Sequence, residues 1–130
     1  MDAAQALADL TEISSQIEAA VLFDEGGGVL GSTLGPGDAA PAFAAAAATL
    51  LEGAGDFRSA GAITQLEAST ADGSVFVVRD GARRIAATTG PGPTVGLVFY
   101  DLKSCLRNAD AEPAKPKRPR ARPKKVDDEA

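Results

Sequence analysis

The sequence has no histidine and only one cysteine, Cys105, among its 130 residues. The Ser-His-Asp and Cys-His arrangements of many hydrolases need histidine, and a zinc site would lack its usual imidazole and thiolate ligands. A single cysteine also excludes an internal disulfide bond, which fits a reducing compartment. The chain is therefore expected to have no catalytic residues and to bind no metal or cofactor.

Targeting and membrane segments are also missing. Residues 1–4 do not form the start of a signal peptide, because no basic region precedes an apolar stretch. The longest run of small apolar residues, 42–48, is far shorter than the roughly 20 residues that span a bilayer. We expect a cytoplasmic protein.

Aromatic residues make up only 5% of the chain, although apolar residues make up 45%. Much of the apolar content is alanine, which buries little area per residue. At about 25 cal/mol per Å² of buried apolar surface, such a core gives marginal stability. A second copy of the chain would add buried area, so the composition favours an oligomer.

The net charge of −5 divides unevenly along the chain. Residues 1–110 carry six Lys/Arg and fourteen Asp/Glu, a balance of −8. Residues 111–130 carry seven Lys/Arg and four Asp/Glu, a balance of +3. An acidic body argues against nucleic acid as the partner of the folded part, since phosphate recognition needs a positive surface.

The basic charge is concentrated in a C-terminal segment with a proline at every third or fourth position. Its composition predicts a disordered tail over residues 111–130, after a folded domain over residues 1–110. The tail could hold nucleic acid or an anionic membrane surface electrostatically, or serve only to keep the chain soluble. The seven cations are Lys115, Lys117, Arg118, Arg120, Arg122, Lys124 and Lys125.

The first half of the body has helical spacing followed by two short apolar runs. Leu7, Leu10, Ile13 and Ile17 recur every three or four positions, which predicts a helix over residues 2–20. Residues 20–23 and 29–33 are then predicted to be two strands joined by a glycine turn.

Alanine dominates residues 39–52, which predicts a second helix with Asp38 as its N-cap and Gly53 and Gly55 at its end. Strands are predicted at 63–70, 74–79 and 82–89, the last two joined at Asp80-Gly81. Residues 94–108 contain strand-forming residues but have apolar side chains at helical spacing, which favours a closing helix capped by Thr94.

Three features of the sequence resemble binding or catalytic sites but have simpler structural interpretations. Gly26, Gly28 and Gly31 match a dinucleotide-binding spacing, but no helix follows them, so a hairpin turn is favoured. Cys105 lies on the apolar face of the closing helix, which favours a buried thiol over a reactive one. Arg83 and Arg84 are expected to point to opposite faces of a strand, and solvated charge is the favoured interpretation.

Three segments, read with the order α-β-β-α-β-β-β-α, resemble the roadblock/dynein-light-chain family in its bacterial, GTPase-associated form. They are IEAAVLFDEGG at 17–27, SVFVVRDG at 74–81 and VGLVFYDL at 95–102. The resemblance implies an α+β fold with a five-stranded antiparallel sheet flanked by helices. It also implies a non-catalytic homodimer that regulates or scaffolds a Ras-like small GTPase or a related signalling complex.

The resemblance places the dimer contact on the second helix and third strand. The residues implied are Phe43, Ala46, Ala47, Leu50, Ile63 and Leu66. Two other functions remain open. One is a protein that binds nucleic acid or an anionic surface through its basic tail. The other is a small-ligand sensor of the PAS or profilin type.

Overall fold

Eight elements follow one another in the predicted order. The computed structural model describes residues 2–57 and 63–110. The predicted disordered tail, 111–130, lies outside the described residues. The elements are α1 (Ala3–Ile13), β1 (Ile17–Asp24), β2 (Val29–Ser32), α2 (Ala39–Phe57), β3 (Gln65–Thr70), β4 (Gly73–Asp80), β5 (Arg83–Thr89) and α3 (Val95–Asp110).

The five strands form one antiparallel sheet in the order β2-β1-β5-β4-β3. The first hairpin joins the later three strands through the pairing of β1 with β5, in which Val21 lies opposite Ala86. On the other side of β5, Ala86 lies opposite Val77 of β4. The predicted α+β fold with a five-stranded antiparallel sheet is confirmed.

Alternation along the strands divides the core between the two faces of the sheet. Phe76 and Val78 of β4 pack with α1 and α3, whereas Val77, between them, packs with α2. The rings of Phe76 and Phe99 meet edge to face, with centroids 5.0 Å apart. In the described part of the chain, two helices therefore cover one face and α2 packs against the other.

The first helix is shorter than its apolar spacing predicts. It ends at Ile13, and the backbone N–H of Ser14 donates to Leu10 O as the chain becomes extended. The prediction of helix to residue 20 is wrong, because Ile17 begins a strand whose residues Ala20 to Phe23 are fully buried. Burial on both sides of a central strand outweighs the local helical spacing. Ile13 is left 72% exposed.

The second helix is longer than predicted and continues through Gly53 and Gly55 to Phe57. The expectation that these glycines end it is wrong, because neither has the positive φ of a helix-ending residue. The closing helix is confirmed as a helix. Its buried residues, from Val98 to Ala109, follow helical spacing against the sheet.

Candidate interaction surface on α2 and β3

Helix α2 turns one side to the sheet. Its buried residues recur at helical spacing: Ala40, Ala44, Ala47 and Leu51. They pack against the side chains that the three central strands direct to this face, namely Val21, Phe23, Val77 and Ala86. Small alanine side chains thus bring the helix close to the sheet.

The opposite side of α2 is exposed and carries no charge until Glu52. Ala42, Ala45 and Ala46 are exposed there, and Leu50 is 39% exposed. An outward helix face is ordinarily rich in charged residues. Alanine side chains also let a second helix approach closely. The side formed by Ala42, Ala45, Ala46, Thr49 and Leu50 is termed the outer α2 face.

Strand β3 lies at the edge of the sheet next to this helix. It pairs with β4 on one side, and among the described residues no strand pairs with its other side. Leu66 packs with the α2 cluster, opposite Val77. An edge strand presents backbone N–H and C=O groups that can pair with another chain.

A shallow depression on the α2 side continues this surface toward one end of the sheet. Ala68, Val75 and Thr88 lie beside one another on β3, β4 and β5 and are half-buried. They line a depression of about 280 Å³. Sequence reasoning did not identify these residues, although the alternation along β4 that places Val77 on this face also places Val75 there.

The residues implied for the dimer contact occupy three different environments. Phe43, Ile63 and Leu66 are half-buried at the margin of α2, and Ala46 and Leu50 are exposed. The structure brings these five onto one side of the molecule. Ala47, in contrast, packs against the chain's own sheet with 1% exposed. It therefore offers no surface to a second chain.

The glycine-rich loop is a hairpin turn, as the sequence favoured. The carboxylate of Asp24 accepts hydrogen bonds from the N–H groups of Gly26 and Gly28, at 3.0 and 2.8 Å. The chain then enters strand β2 rather than a helix. Amides that would hold a pyrophosphate are thus occupied by a side-chain carboxylate.

Cys105 is buried on the side of the sheet that faces α1 and α3, as predicted. Its Sγ lies 3.4 Å from Ala6 O, to which the thiol donates. Burial, with a smaller effect of the Asp9 carboxylate, raises the pKa of the thiol to about 12. The thiol is thus protonated at neutral pH, whereas a nucleophilic cysteine needs a thiolate.

Arg83 and Arg84 lie on opposite sides of β5, as alternation predicts. The Arg83 guanidinium donates to Ala109 O at the end of α3, at 3.1 Å. Arg84 lies on the α2 side, where it lines a cavity with Asp24 and Glu52. The two side chains therefore cannot act together on one ligand.

The part of the chain that the structure describes holds no cluster of three or more Cys, Asp or Glu side chains placed to bind a metal ion. Within residues 2–57 and 63–110, the helices are too short or too polar to cross a membrane.

The chain matches no protein-family model and no curated protein sequence. Its structure is similar to that of a roadblock/LC7 domain from Streptomyces avermitilis, with a TM-score of 0.74 and 20% identity, covering 85% of this chain and 96% of that one.

Two structures of MglB are also similar. One, the gliding protein MglB of Thermus thermophilus, has a TM-score of 0.69 and 14% identity, covering 82% of this chain and 84% of that one. The other, described as MglB with a tetrameric arrangement, has a TM-score of 0.68 and 12% identity, with the same coverages. The chain therefore has the roadblock/LC7 fold, as its sequence segments indicated.

Proposed function

We propose that the chain is a non-catalytic homodimeric module that regulates or scaffolds a Ras-like small GTPase or a related signalling complex. The outer α2 face is the observation that carries the proposal. It is an uncharged helix surface beside a strand that is at the edge of the sheet among the described residues, in a domain whose net charge is strongly negative. The roadblock fold and the family resemblance of the sequence support the same interpretation.

The geometry suits a symmetric contact. If β3 of each copy pairs with β3 of the other in antiparallel fashion, the two sheets become continuous and the two α2 helices lie side by side. Such an isologous contact uses the same surface on both subunits. The exposed alanines allow the helices to approach, and Leu50 supplies the largest exposed apolar side chain of the outer α2 face.

The sensor alternative is less well supported. In a ligand sensor, the space between helix and sheet would have to admit a small molecule. The middle of that space is filled by Ala44, Ala47 and Leu51, which are at most 6% exposed. A cavity of about 240 Å³ opens between helix and sheet beside Glu52 and Arg84, and it is smaller than the roughly 300–1,000 Å³ of ordinary ligand pockets.

The oligomeric state is tested by light scattering during size exclusion at micromolar protein concentration. The unmodified chain is expected to be a dimer, and Ala46→Glu a monomer, because it places two like charges in a desolvated contact. Ala8→Glu is the matched control, since it makes the same change at an exposed position of α1. A monomeric unmodified chain would remove the proposal's central support.

The partner is tested by first searching for a Ras-like GTPase that is encoded beside this protein or co-purifies with it, and by titration calorimetry with the purified GTPase. The GTPase is loaded with GDP or with a non-hydrolysable GTP analogue. We expect binding that differs between the two states, because a regulator must have a different affinity for each. Nucleotide hydrolysis and exchange rates then distinguish regulation from scaffolding. Equal affinity would indicate a scaffold, and no binding to either state would refute the GTPase proposal.

The segregation of positive charge beyond residue 110 favours a second candidate, in which the tail holds nucleic acid or an anionic surface. Deleting residues 111–130 separates the two functions. Loss of all partner binding, together with a steep salt dependence in the intact chain, would favour the tail. Retained GTPase binding would favour the folded body.

A further inference from the structure

A groove runs between α1 and α3, on the side of the molecule away from α2. It has a volume of about 190 Å³. Two large apolar side chains on its rim face solvent, Ile13 at 72% and Tyr100 at 64% exposed. This surface is separate from the outer α2 face and has no part in the function proposed above.

The groove contains two carboxylates. Asp101 is only 7% exposed and makes no hydrogen bond or ion pair with any described residue. Its carboxylate oxygens still reach solvent, since Ser14 Oγ is the one buried side-chain polar atom of the described residues without a hydrogen-bond partner. Asp9 lines the same groove from α1, and no Lys or Arg is among the lining residues. The groove therefore carries negative charge that a cationic segment would complement.

We propose that this groove binds the chain's own proline- and cation-rich segment, residues 113–125. Charge complementarity supports this occupant, because the segment holds all seven cations beyond residue 110 and the groove holds two carboxylates. Connectivity supports it as well, because α3 carries Asn108 on the groove and ends at Asp110, three residues before the segment begins.

The lengths agree. Tyr100 lies ten residues before Asp110 on α3, which at 1.5 Å per residue is about 15 Å along the helix. The fifteen residues from 111 to 125 can span up to about 50 Å at about 3.3 Å per residue, so the segment is long enough to reach Tyr100 and Asp101.

The side chains of the groove also match the chemistry of the proline- and cation-rich segment. Aromatic grooves bind proline-rich segments by contact with the proline rings, and Tyr100 offers an exposed ring. Neighbouring carboxylates then accept charge-assisted hydrogen bonds from Lys or Arg of the bound segment. Asp101 and Asp9 are placed for this role, beside Tyr100 and Ile13.

The test compares backbone amide NMR spectra of the full-length chain with those of a variant in which all seven tail cations are glutamine. This variant leaves the folded body unchanged. The amides that differ are expected to lie along the groove, around Asp9 to Ile13 and Tyr100 to Asn108, and the differences should shrink as salt is added. Differences that are absent, or that lie elsewhere, would overturn the proposal.

A second variant, Asp101→Asn, removes the unpaired charge with little change of shape. It should weaken tail docking by about tenfold, the effect of losing one charge-assisted hydrogen bond at a desolvated site. Asp72→Asn, which makes the same change on the exposed β3–β4 turn, is the control. Equal effects of the two would contradict the role of Asp101.

Protein concentration identifies the source of the bound segment. Shifts that do not depend on concentration indicate each chain's own tail, and shifts that grow with concentration indicate the tail of a second copy. Both support the groove as the site of this segment. Groove amides that respond only to added oligonucleotide or anionic vesicles, and not to the tail, would overturn it.

Discussion

The two faces of the sheet are covered in different ways. The face toward α1 and α3 is packed with large side chains contributed by both helices and the central strands, including Leu7, Leu10, Phe76, Ile85, Leu102 and Leu106. On the other face, a single helix contributes three alanines and Leu51 to the buried cluster. The first face has large side chains on both of its layers, whereas the second has them mainly on the sheet.

Because of this difference, the two faces contribute unequally to the stability of the chain. Free energy from burial scales with apolar area, at about 25 cal/mol per Å². The face toward α1 and α3 therefore contributes most of the stability of a single chain. The α2 face contributes less, but its alanine helix leaves an uncharged surface with a leucine exposed beside β3, the edge strand of the described sheet. One face contributes most of the stability of the single chain, and the other carries the surface proposed above to contact a second chain.

The same substitution on each face gives the sharpest test of this comparison. Leu102→Ala, at a fully buried position of α3, is expected to lower the free energy of unfolding by about 4 kcal/mol. Leu51→Ala, at a 6% exposed position of α2, should cost only about 2 kcal/mol, because the edge of a small-residue layer collapses more easily.

Urea denaturation at one fixed protein concentration measures both losses. The dependence of the unfolding free energy on urea concentration should be the same in both variants. An equal or larger loss for Leu51→Ala would show that the α2 face is as important to the monomer as the other.

Replacing an alanine by a larger side chain tests how tightly each side of α2 is packed in the single chain. Ala44 is fully buried against the sheet, so Ala44→Leu should destabilise the chain by about 1–3 kcal/mol. Ala46→Leu, on the outer α2 face, should change the stability of the isolated chain by less than about 0.5 kcal/mol. Thermal unfolding at low protein concentration compares them. Similar losses from both would mean that the outer α2 face is not free in the monomer.

Runs of strand-forming residues and glycine turns made much of this fold predictable from sequence. The predicted strands 74–79 and 82–89 lie within one residue of β4 and β5, because Val75 to Val78 are all strand formers and a glycine turn joins the two runs. In the structure, successive side chains of β4 point to opposite faces, with Val77 toward α2 and Phe76 toward α3. Strand-forming runs and turns depend on residues that are neighbours in the sequence, so they can be predicted from short segments.

The sequence predictions failed where contacts between residues far apart in the sequence determine the structure. Ile17 fits the spacing of α1, but pairing with Thr89 at the other end of the domain makes it part of β1. Ala47 and Ala46 are adjacent alanines, and only the packing of α2 on the sheet distinguishes the buried one from the exposed one. The groove at Asp101 was likewise not found, because its partner wall is α1, about ninety residues away in the chain.

Cys105 probes the face toward α1 and α3 through pH. Its folded-state pKa of about 12 lies above the ordinary value of 9.0, so the folded chain keeps the thiol proton longer than the unfolded chain does. The resulting stability is fully present below pH 9 and is lost as the pH rises toward 12. The loss by pH 10.5 should be about 2 kcal/mol, because that pH lies 1.5 units above the unfolded pKa.

Urea denaturation of the intact chain and of Cys105→Ala, each between pH 7 and pH 10.5, isolates this contribution. The variant loses the packing of the sulfur by the same amount at every pH, and the other titrating groups cancel in the difference. The stability advantage of the intact chain should therefore shrink above pH 9. An advantage that stays constant would mean that water reaches the thiol, and hence that α1 and α3 cover their face of the sheet less completely than their large side chains indicate.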